Sequence, residues 1–589
     1  MTWICLQSNR ATLCFVVASL VLGPLVFGLG CSPPPPEVAD VELRIGDPDA
    51  DPGQITDGPI SPPELHDLSA GTPAQAATMR RDGTQLVQQT GAALTEEVPT
   101  PDPDKENPAE VVPTPDGQPV VEGDGQGPED YKTWPKPPVT LVVTGNQHGY
   151  IEPCGCTGLD RQKGGLARRY TFMKQLEEMG WDLLPIDAGN QVRRYGRQAE
   201  IKLQQTSKAL QQMDYRAVGF GPDDLRLGVG ELLAVAAADD PESALYVSAN
   251  VVLIDESLMP SNKVVSLNGA KIGVTSILDP EALEVETSEE IVIKPIVESA
   301  RREANDLIDK KTNFRVLMFY GEEDAAEDLV REVQGFNLVV VAGGYGEPTY
   351  RAEKIEGSKT RMIVTGNKGM YAGLVGLYPT GSMRYARVPL THEFEDAPEM
   401  RLVMREYQDQ LRDIGLEGLG LLPPIPHASG QSFVGSAKCG ECHTKAYEVW
   451  EFTAHVDATD HIVKPPLERG DIGRHFDPEC LSCHVTGWNA QEYYPYQSGY
   501  LSLDGFKHLH GNGCENCHGP GSEHSAAEAK DSTVSAEIRG QLRDAMKVSL
   551  ENAKEMCMKC HDLDNSPDFH EPNAFEEDYW PSVEHYGKD

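Results

Sequence analysis

Between Val139 and Leu377 the chain alternates short apolar runs with amphipathic stretches. Val139-Thr-Leu-Val-Val143 is continuous enough to be a strand buried on both faces. A Gly-rich loop follows, and apolar residues then recur at helical spacing from Leu166 to Met179. The same reading predicts strands over 183–186, 217–220, 246–252, 271–277, 315–319 and 337–341. It predicts helices over 201–213, 296–309 and 325–333. Strands alternating with helices imply a layered α/β domain. Residues 360–377 read as a closing β-meander and 398–414 as an amphipathic helix. A Gly/Pro linker runs from 415 to about 430, and beyond it regular periodicity fades.

Residues 32–137 have the opposite character. They open with Pro33-Pro34-Pro35-Pro36 and stay rich in Pro, Asp, Glu, Gly and Gln, with few aromatics. Such a stretch cannot bury enough apolar surface to fold and is expected to be a disordered linker; only 74–97 has a pattern for a transient helix. Before it, Arg10 is the only charge, and an apolar run extends from Ala11 to Leu29 and ends at Gly30-Cys31-Ser32. This pattern predicts an export signal. Cleavage before Cys31 with acylation of that residue is the expected anchor, although Gly28 stands where a lipoprotein signal ordinarily has Leu. An uncleaved span, since the run is just long enough to cross a bilayer, and ordinary secretion are the alternatives. The chain carries 92 acidic and 51 basic residues, a formal net charge of −41. That balance argues against a nucleic-acid partner.

The last quarter holds four Cys-x-x-Cys-His pentapeptides: Cys439–His443, Cys480–His484, Cys514–His518 and Cys557–His561. Each reads as a c-type haem attachment site. Two thiols, Cys439 with Cys442, Cys480 with Cys483, Cys514 with Cys517, Cys557 with Cys560, reach the two vinyl groups of one porphyrin. The next residue, His443, His484, His518 or His561, comes under the iron as its proximal ligand. Zinc sites need no His directly after each second Cys. Disulfides between such close cysteines would close only short loops. Four covalent haem c groups are therefore expected, and attachment outside the cytoplasmic membrane agrees with the export signal.

The middle region resembles the calcineurin-like metallophosphoesterases, in particular the bacterial 5′-nucleotidase branch. The resemblance covers about 139 to 385. It is carried by Val143-Thr-Gly-Asn-Gln-His-Gly149, Gly164-Gly-Leu-Ala-Arg168, Leu184-Pro-Ile-Asp-Ala-Gly-Asn190, Tyr215–Gly221, Val247-Ser-Ala-Asn250 and Lys271–Val274. Family members hold two metals with Asp-x-His, Gly-Asp, Asn-His and later His residues. Here Asn146 replaces the first Asp, Asn190 stands at the bridging Asp, and Pro222-Asp223, or its neighbour Asp224, replaces Asn-His. The later segments, Phe319–Gly321 and Gly343–Gly346, lack His. Two-metal hydrolysis needs carboxylates and imidazoles to hold the cations. The expectation is a domain without hydrolase activity or a second metal, with His148 structural. Cys154 and Cys156 are an addition in the loop after the first strand. They read either as a structural turn with a disulfide, or as a redox or metal-binding dithiol near His148.

Residues 431–589 resemble the tetrahaem cytochrome c-554 family. The matching residues are Cys439–His443 with Trp450 and His455, Asp477–Gly487, Gly513–His524, Cys557–Pro567, and Tyr579-Trp-Pro581 with His585. The resemblance implies electron transfer and points to His455, His524 and His585 as distal iron ligands, with His461, His475, His508, His510 and His570 as spares. Three distal candidates for four haems imply one five-coordinate iron, that of His484, as family precedent also suggests.

The expected fold is multidomain: signal 1–31, disordered linker 32–137, α/β metallophosphoesterase-like domain 138–395, helix and linker 396–430, and a mainly helical and irregular tetrahaem domain 431–589. The expected function is an exported, membrane-tethered electron carrier serving redox partner proteins on the periplasmic side of a bacterial membrane. The alternatives are reduction of a small nitrogen-oxide-type ligand at the open haem, and a surviving metal-dependent phosphohydrolase.

Overall fold

The structure is a computed structural model. It describes Trp3–Ser8, Ala11–Val16 and residues 130–586, apart from 154–161, 239, 241, 286, 345–346, 380, 467–469 and 564. The expected linker up to residue 129, Cys31, the 74–97 helix and the Cys154/Cys156 pair lie outside the described residues. Two compact units are separated, 1–109 and 110–589. In the first, β1 (Trp3–Ser8) pairs antiparallel with β2 (Ala11–Val16). Among the described residues no helix is long and apolar enough to cross a membrane.

Tyr131 and Trp134, both buried, already pack into the second unit. These rings close over Trp181: Trp134 stacks on it at 6.2 Å and Tyr131 meets it edge-on at 6.3 Å. A hydrophobicity pattern cannot register two aromatics set among Lys and Pro.

The chain then runs β3 (Val139–Thr144), α1 (Leu166–Glu178), β4 (Leu183–Asp187), α2 (Arg197–Gln212), β5 (Ala217–Val218), α3 (Val229–Ala236), β6 (Val251–Leu253), β7 (Asn262–Leu267), β8 (Ala270–Leu278), β9 (Ile291–Ile293), α4 (Ile296–Asp309), β10 (Phe314–Tyr320), α5 (Glu323–Glu332) and β11 (Leu338–Ala342). It closes with β12 (Glu353–Lys354), β13 (Arg361–Val364), β14 (Tyr371–Leu377), β15 (Met383–Pro389) and α6 (Pro398–Gly418).

One sheet has the order β15-β14-β3-β4-β5, the other β12-β13-β11-β10-β8-β7. The pairs β3/β4, β4/β5, β8/β10, β10/β11 and β11/β13 are parallel, and β15/β14, β14/β3, β12/β13 and β7/β8 are antiparallel. Successive strand residues point to opposite faces. On β10, Val316 and Met318 therefore enter the core shared with the other sheet, while Leu317 and Phe319 pack under α4 and α5. Leu338/Val340 and Val339/Val341 on β11 divide the same way. Both faces are covered, which is why these strands lack polar alternation. The middle region is thus a layered α/β domain, as its alternation predicts.

Three local expectations need correction. The 360–377 segment is not a meander: β13 joins the six-stranded sheet beside β11, and β14 crosses to the other sheet and pairs with β3. The crossing is made at Lys368 and Gly369, both at positive φ. The expected strand 246–252 is reduced to Val251–Leu253, because the Asn250 amide replaces the ladder, donating to Leu278 O at 2.7 Å and accepting from Leu278 N–H at 3.0 Å. Helix α2 starts at Arg197, four residues before the expected start at 201, because its first turn is polar and carries the Arg197–Glu200 ion pair.

Helix α6 buries Met400, Val403, Met404, Tyr407 and Leu411 in the core of the α/β domain. It thus packs as part of that domain's core. The remainder consists of short helices: α7 (Ser436–Gly440), α8 (Thr444–Glu451), α9 (Ala458–Val463), α10 (Pro478–His484), α11 (Cys514–His518), α12 (Ser522–Ala527), α13 (Ala536–Ala545), α14 (Leu550–Cys557) and α15 (Trp580–Val583). Its apolar clusters are small, one around Phe433, Leu481 and Tyr500 and one of Ala553, Phe569 and Phe575.

Candidate haem and interdomain site

Each pentapeptide sits on or at the end of a short helix. Residues three apart share a helix face, so Cys480 and Cys483 of α10, and Cys514 and Cys517 of α11, project together. Asp477 caps α10 by accepting from Glu479 N–H at 3.0 Å, and Pro478 occupies the first helical position. Asp-Pro is a helix-start signal that is readable in the sequence. Glu515 is a residue the sequence reading missed. Its buried carboxylate accepts from Val434 N–H (2.9 Å), Gly435 N–H (2.7 Å) and Gly521 N–H (2.8 Å), tying the third motif to the segment that leads into the first.

The histidines carry the most information. His443 faces His524 with ring centres 6.1 Å apart, His561 faces His455 at 6.1 Å, and His518 faces His585 at 5.8 Å. Two imidazoles on opposite sides of one metal, each with N at ~2.0 Å, place their ring centres ~6 Å apart. The three separations therefore fit axial ligation of one iron per pair. Two motif histidines of these pairs, one opposed histidine and His484 are also held through Nδ1, whereas His524 Nδ1 is buried without a hydrogen-bond partner. His518 Nδ1–H donates to Met546 O (2.6 Å), His484 Nδ1–H to Ala458 O (2.6 Å) and His585 Nδ1–H to Val583 O (2.7 Å), while His561 Nδ1 meets Ser566 Oγ (3.0 Å). Such bonds fix the ring and leave Nε2 as the nitrogen that could ligate a metal.

All three distal candidates are thus opposed to the motifs of His443, His518 and His561, and none of the three is left for His484. Of the spare histidines, His510 Nε2 is bonded to Leu503 O at 3.1 Å and His570 Nε2 to His561 O at 2.8 Å. His475 packs on Phe476 and His508 on Phe506.

The motifs also acquire a spatial order that differs from their chain order. The thiols of Cys439 and Cys514 lie near each other, as do those of Cys483 and Cys560, and Cys517 lies near Cys557. The first motif therefore adjoins the third, the third the fourth, and the fourth the second.

In the α/β domain the substituted residues bond to one another. The Asn190 amide donates to Asp223 at 3.2 Å and accepts from Asp223 N–H at 3.0 Å. Asp224 accepts three backbone N–H bonds, from Asn190 (2.9 Å), Gly221 (3.0 Å) and Val192 (3.1 Å). Burial pushes its pKa up to about 7 despite those bonds. Asp187 accepts from Thr144 (2.5 Å), Gln191 (2.7 Å) and Gly189 N–H (2.9 Å). These carboxylate oxygens are directed at protein donors. Among the described residues no group of three or more His, Cys, Asp or Glu is placed to hold a metal ion. His148 is pulled down to about 4 by burial and by Arg193 and Lys368, so it is neutral at pH 7.

This same face of the α/β domain meets the second motif, a juxtaposition the sequence did not reveal. Lys202 of α2 donates to Glu479 at 2.7 Å, and Gln198 donates to Asp477 at 2.8 Å. Gln408 of α6 donates to Asp477 at 3.1 Å. Arg474 forms a two-pronged ion pair with Glu152, and the Arg194 guanidinium stacks on Tyr493 at 3.6 Å.

Residues 438–519 match the family model described as cytochrome c554 and c-prime. A cytochrome c-554 of Nitrosomonas europaea is 33% identical over 108 residues, which is 16% of this chain and 43% of that protein. An apyrase of the mosquito Aedes albopictus is 22% identical over 274 residues, covering 41% of this chain and 48% of the apyrase. The chain thus spans less than half the length of the curated relatives it matches. A 5′-nucleotidase precursor from Thermus thermophilus superposes with a TM-score of 0.40 at 20% identity, over 55% of this chain and 66% of the nucleotidase. The C-terminal region resembles the cytochrome c-554 family, whose members carry covalent haem c, and the middle region resembles the calcineurin-like phosphoesterases of the 5′-nucleotidase branch.

Proposed function

We propose that this chain is an exported tetrahaem c-type cytochrome that relays electrons, fused to a phosphoesterase-like domain that has lost hydrolysis. The observation that carries this reading is the set of three opposed imidazole pairs, each containing the His of a Cys-x-x-Cys-His motif. The eight motif cysteines would hold four haem c groups through thioethers. His443/His524, His518/His585 and His561/His455 would supply axial pairs, and His484 a single proximal ligand. Haem supplies reversible one-electron chemistry at iron when bound, and two imidazoles keep that iron low-spin. The motif helices hold the sites side by side in the order first, third, fourth, second.

Placement on the periplasmic side of a bacterial membrane follows from haem attachment and from the N-terminal apolar run. Tethering through Cys31 or through that run is part of the proposal, as is a redox protein as partner. Loss of hydrolysis is supported by Asp187, Asp223 and Asp224, whose oxygens are committed to Thr144, Gln191, Asn190 and backbone donors. A second reading has one specific support, namely that His455, His524 and His585 are all opposed to other motifs. The His484 iron would then keep an open position for a small nitrogen-oxide-type ligand.

The test is a pyridine haemochrome count with electron paramagnetic resonance on the purified protein. About four haems per chain, with three low-spin signals and one high-spin signal, are expected. Two or fewer haems would refute the architecture. A wholly low-spin spectrum unaltered by carbon monoxide would remove the small-ligand reading and leave electron transfer.

A further inference from the structure

The charged residues Arg474, Asp477 and Glu479 lead into Cys480 of the second motif, and each is answered by the α/β domain. Arg474 donates through Nε to Glu152 in the loop after β3 at 2.9 Å. Asp477 is buried and accepts from Gln198 of α2 at 2.8 Å and from Gln408 of α6 at 3.1 Å. Glu479 pairs with Lys202 of α2 at 2.7 Å, and Arg194 lies 4.0 Å from the same carboxylate. Asp477, Arg474, Glu479 and Lys202 all lie near the Cys480 sulfur. The acid beside the third motif is held differently: Glu515 takes backbone donors of its own region.

These contacts also hold the motif helix. Asp477 caps α10 by accepting from Glu479 N–H at 3.0 Å, so the carboxylate that starts the helix is the one that α2 and α6 enclose. The second motif stands last in the spatial order first, third, fourth, second. The α/β domain is therefore seated at one end of that order.

Reduction of a haem iron adds one electron and removes one positive charge. A nearby carboxylate disfavours that change and a nearby cation favours it, the more so where water is excluded. Charge, hydrogen bonding and burial around the group are the protein's means of setting its potential. The side chains of Lys202 and Arg474 are 10% and 13% exposed, so solvent screens them little. The α/β domain thus brings one cation, Lys202, and one anion, Glu152, each set against a partner of opposite sign beside the second motif.

We propose that the α/β domain sets the reduction potential of the haem at the second motif, with Lys202 and Glu152 as its charge-positioning residues. The former hydrolase face serves electron transfer as an electrostatic clamp on the motif helix.

This inference rests on the tetrahaem reading, and the experiment reads the two separately. It is a spectroelectrochemical titration of the full-length holoprotein at pH 7, electrons being supplied by the electrode through mediators, with a pyridine haemochrome count on every sample. The wave that Cys480→Ala/Cys483→Ala removes belongs to the second motif. Lys202→Met should lower that wave by about threefold in its one-electron equilibrium constant, ~28 mV where tenfold is ~59 mV. Glu152→Gln should raise it by a similar factor, Lys202→Arg should keep the parent value, and the other waves should stay in place. Opposite signs mark an effect of charge, because a merely loosened contact admits water in both variants and moves them the same way. Where Lys202→Met loses haem, Glu479→Gln replaces it and should raise the wave. Shifts of the same sign in Lys202→Met and Glu152→Gln overturn the proposal and leave the tetrahaem reading standing. Equal shifts of every wave, or an unmoved wave in a variant that keeps its haems, do the same. Two or fewer haems in the unaltered protein defeat that reading and the proposal with it.

Discussion

Replacing Lys202 by Met should loosen the contact between the α/β domain and the second motif. The Lys202 ammonium lies 2.7 Å from Glu479, with 10% of the Lys side chain and 32% of the Glu side chain exposed. Burial pulls the Lys202 pKa down, but Glu479 and Asp477 more than reverse this and hold it above 10.5. Burial pushes Glu479 up, and Lys202 outweighs it, holding the carboxylate below 4.5. Removing one partner of a buried pair costs ~3–5 kcal/mol. The partial exposure of Glu479 and the nearby Arg194 soften this, so about 2–3 kcal/mol is expected. At ~2–4 °C per kcal/mol for a domain of this size, the transition of the α/β domain should fall by roughly 5–10 °C.

The sign with pH follows from the two shifts. The lowered Glu479 contributes stability above its unfolded pKa near 4.5, lost as pH falls through the folded value. The raised Lys202 contributes below 10.5, lost as pH rises through its folded value. The difference between the parent protein and Lys202→Met should therefore form a plateau between about pH 5.5 and 9.5 and shrink below about pH 4.5. Asp477, raised by burial, takes up its proton first and shortens the plateau on the acid side. Calorimetric melts of the holoprotein across pH 3.5–9 test this, with Lys202→Met/Glu479→Gln recovering at least half of the loss. A loss under about 0.5 kcal/mol, or one equal at pH 3.5 and 7, would refute the argument that this pair holds the two regions together.

Other outcomes are equally specific. His524→Ala should convert the His443 iron from low-spin to high-spin while the haem count stays unchanged; an unaltered resonance spectrum would disprove that pairing. Cys514→Ala/Cys517→Ala should lower the haem count by one, read on denatured protein. The α/β domain should release no phosphate from AMP with Mn²⁺ or Zn²⁺ above the level of His148→Ala; metal-dependent turnover above it would restore the phosphohydrolase reading. Glu515→Gln leaves three backbone N–H donors facing a neutral amide and should destabilise the haem region by about 1–3 kcal/mol in urea unfolding; no shift in midpoint would show that the carboxylate is not needed.

Local patterns determined much of this protein. Strand and helix alternation follows from side-chain periodicity, so the layered α/β domain was legible from residue 139 onward, and helix 296–309 was placed to the residue. The Cys-x-x-Cys-His chemistry is set within five residues, and the substitutions at Asn146 and Asn190 are visible because motif positions are fixed along the chain. Ranges that depend on long-range partners were not legible: β13 and β14 are neighbours in sequence but join different sheets, because the sheet a strand enters depends on which edge is available. Only the tertiary structure decided which other His faces each motif His. His455 precedes His561 by over 100 residues and His585 follows His518 by 67, separations that no local periodicity encodes. It alone set the motif order as first, third, fourth, second. It also brought Lys202 against Glu479, 277 residues away. A buried cation and a half-buried carboxylate read in sequence as two ordinary charges; only the fold sets them against each other and shields them from water.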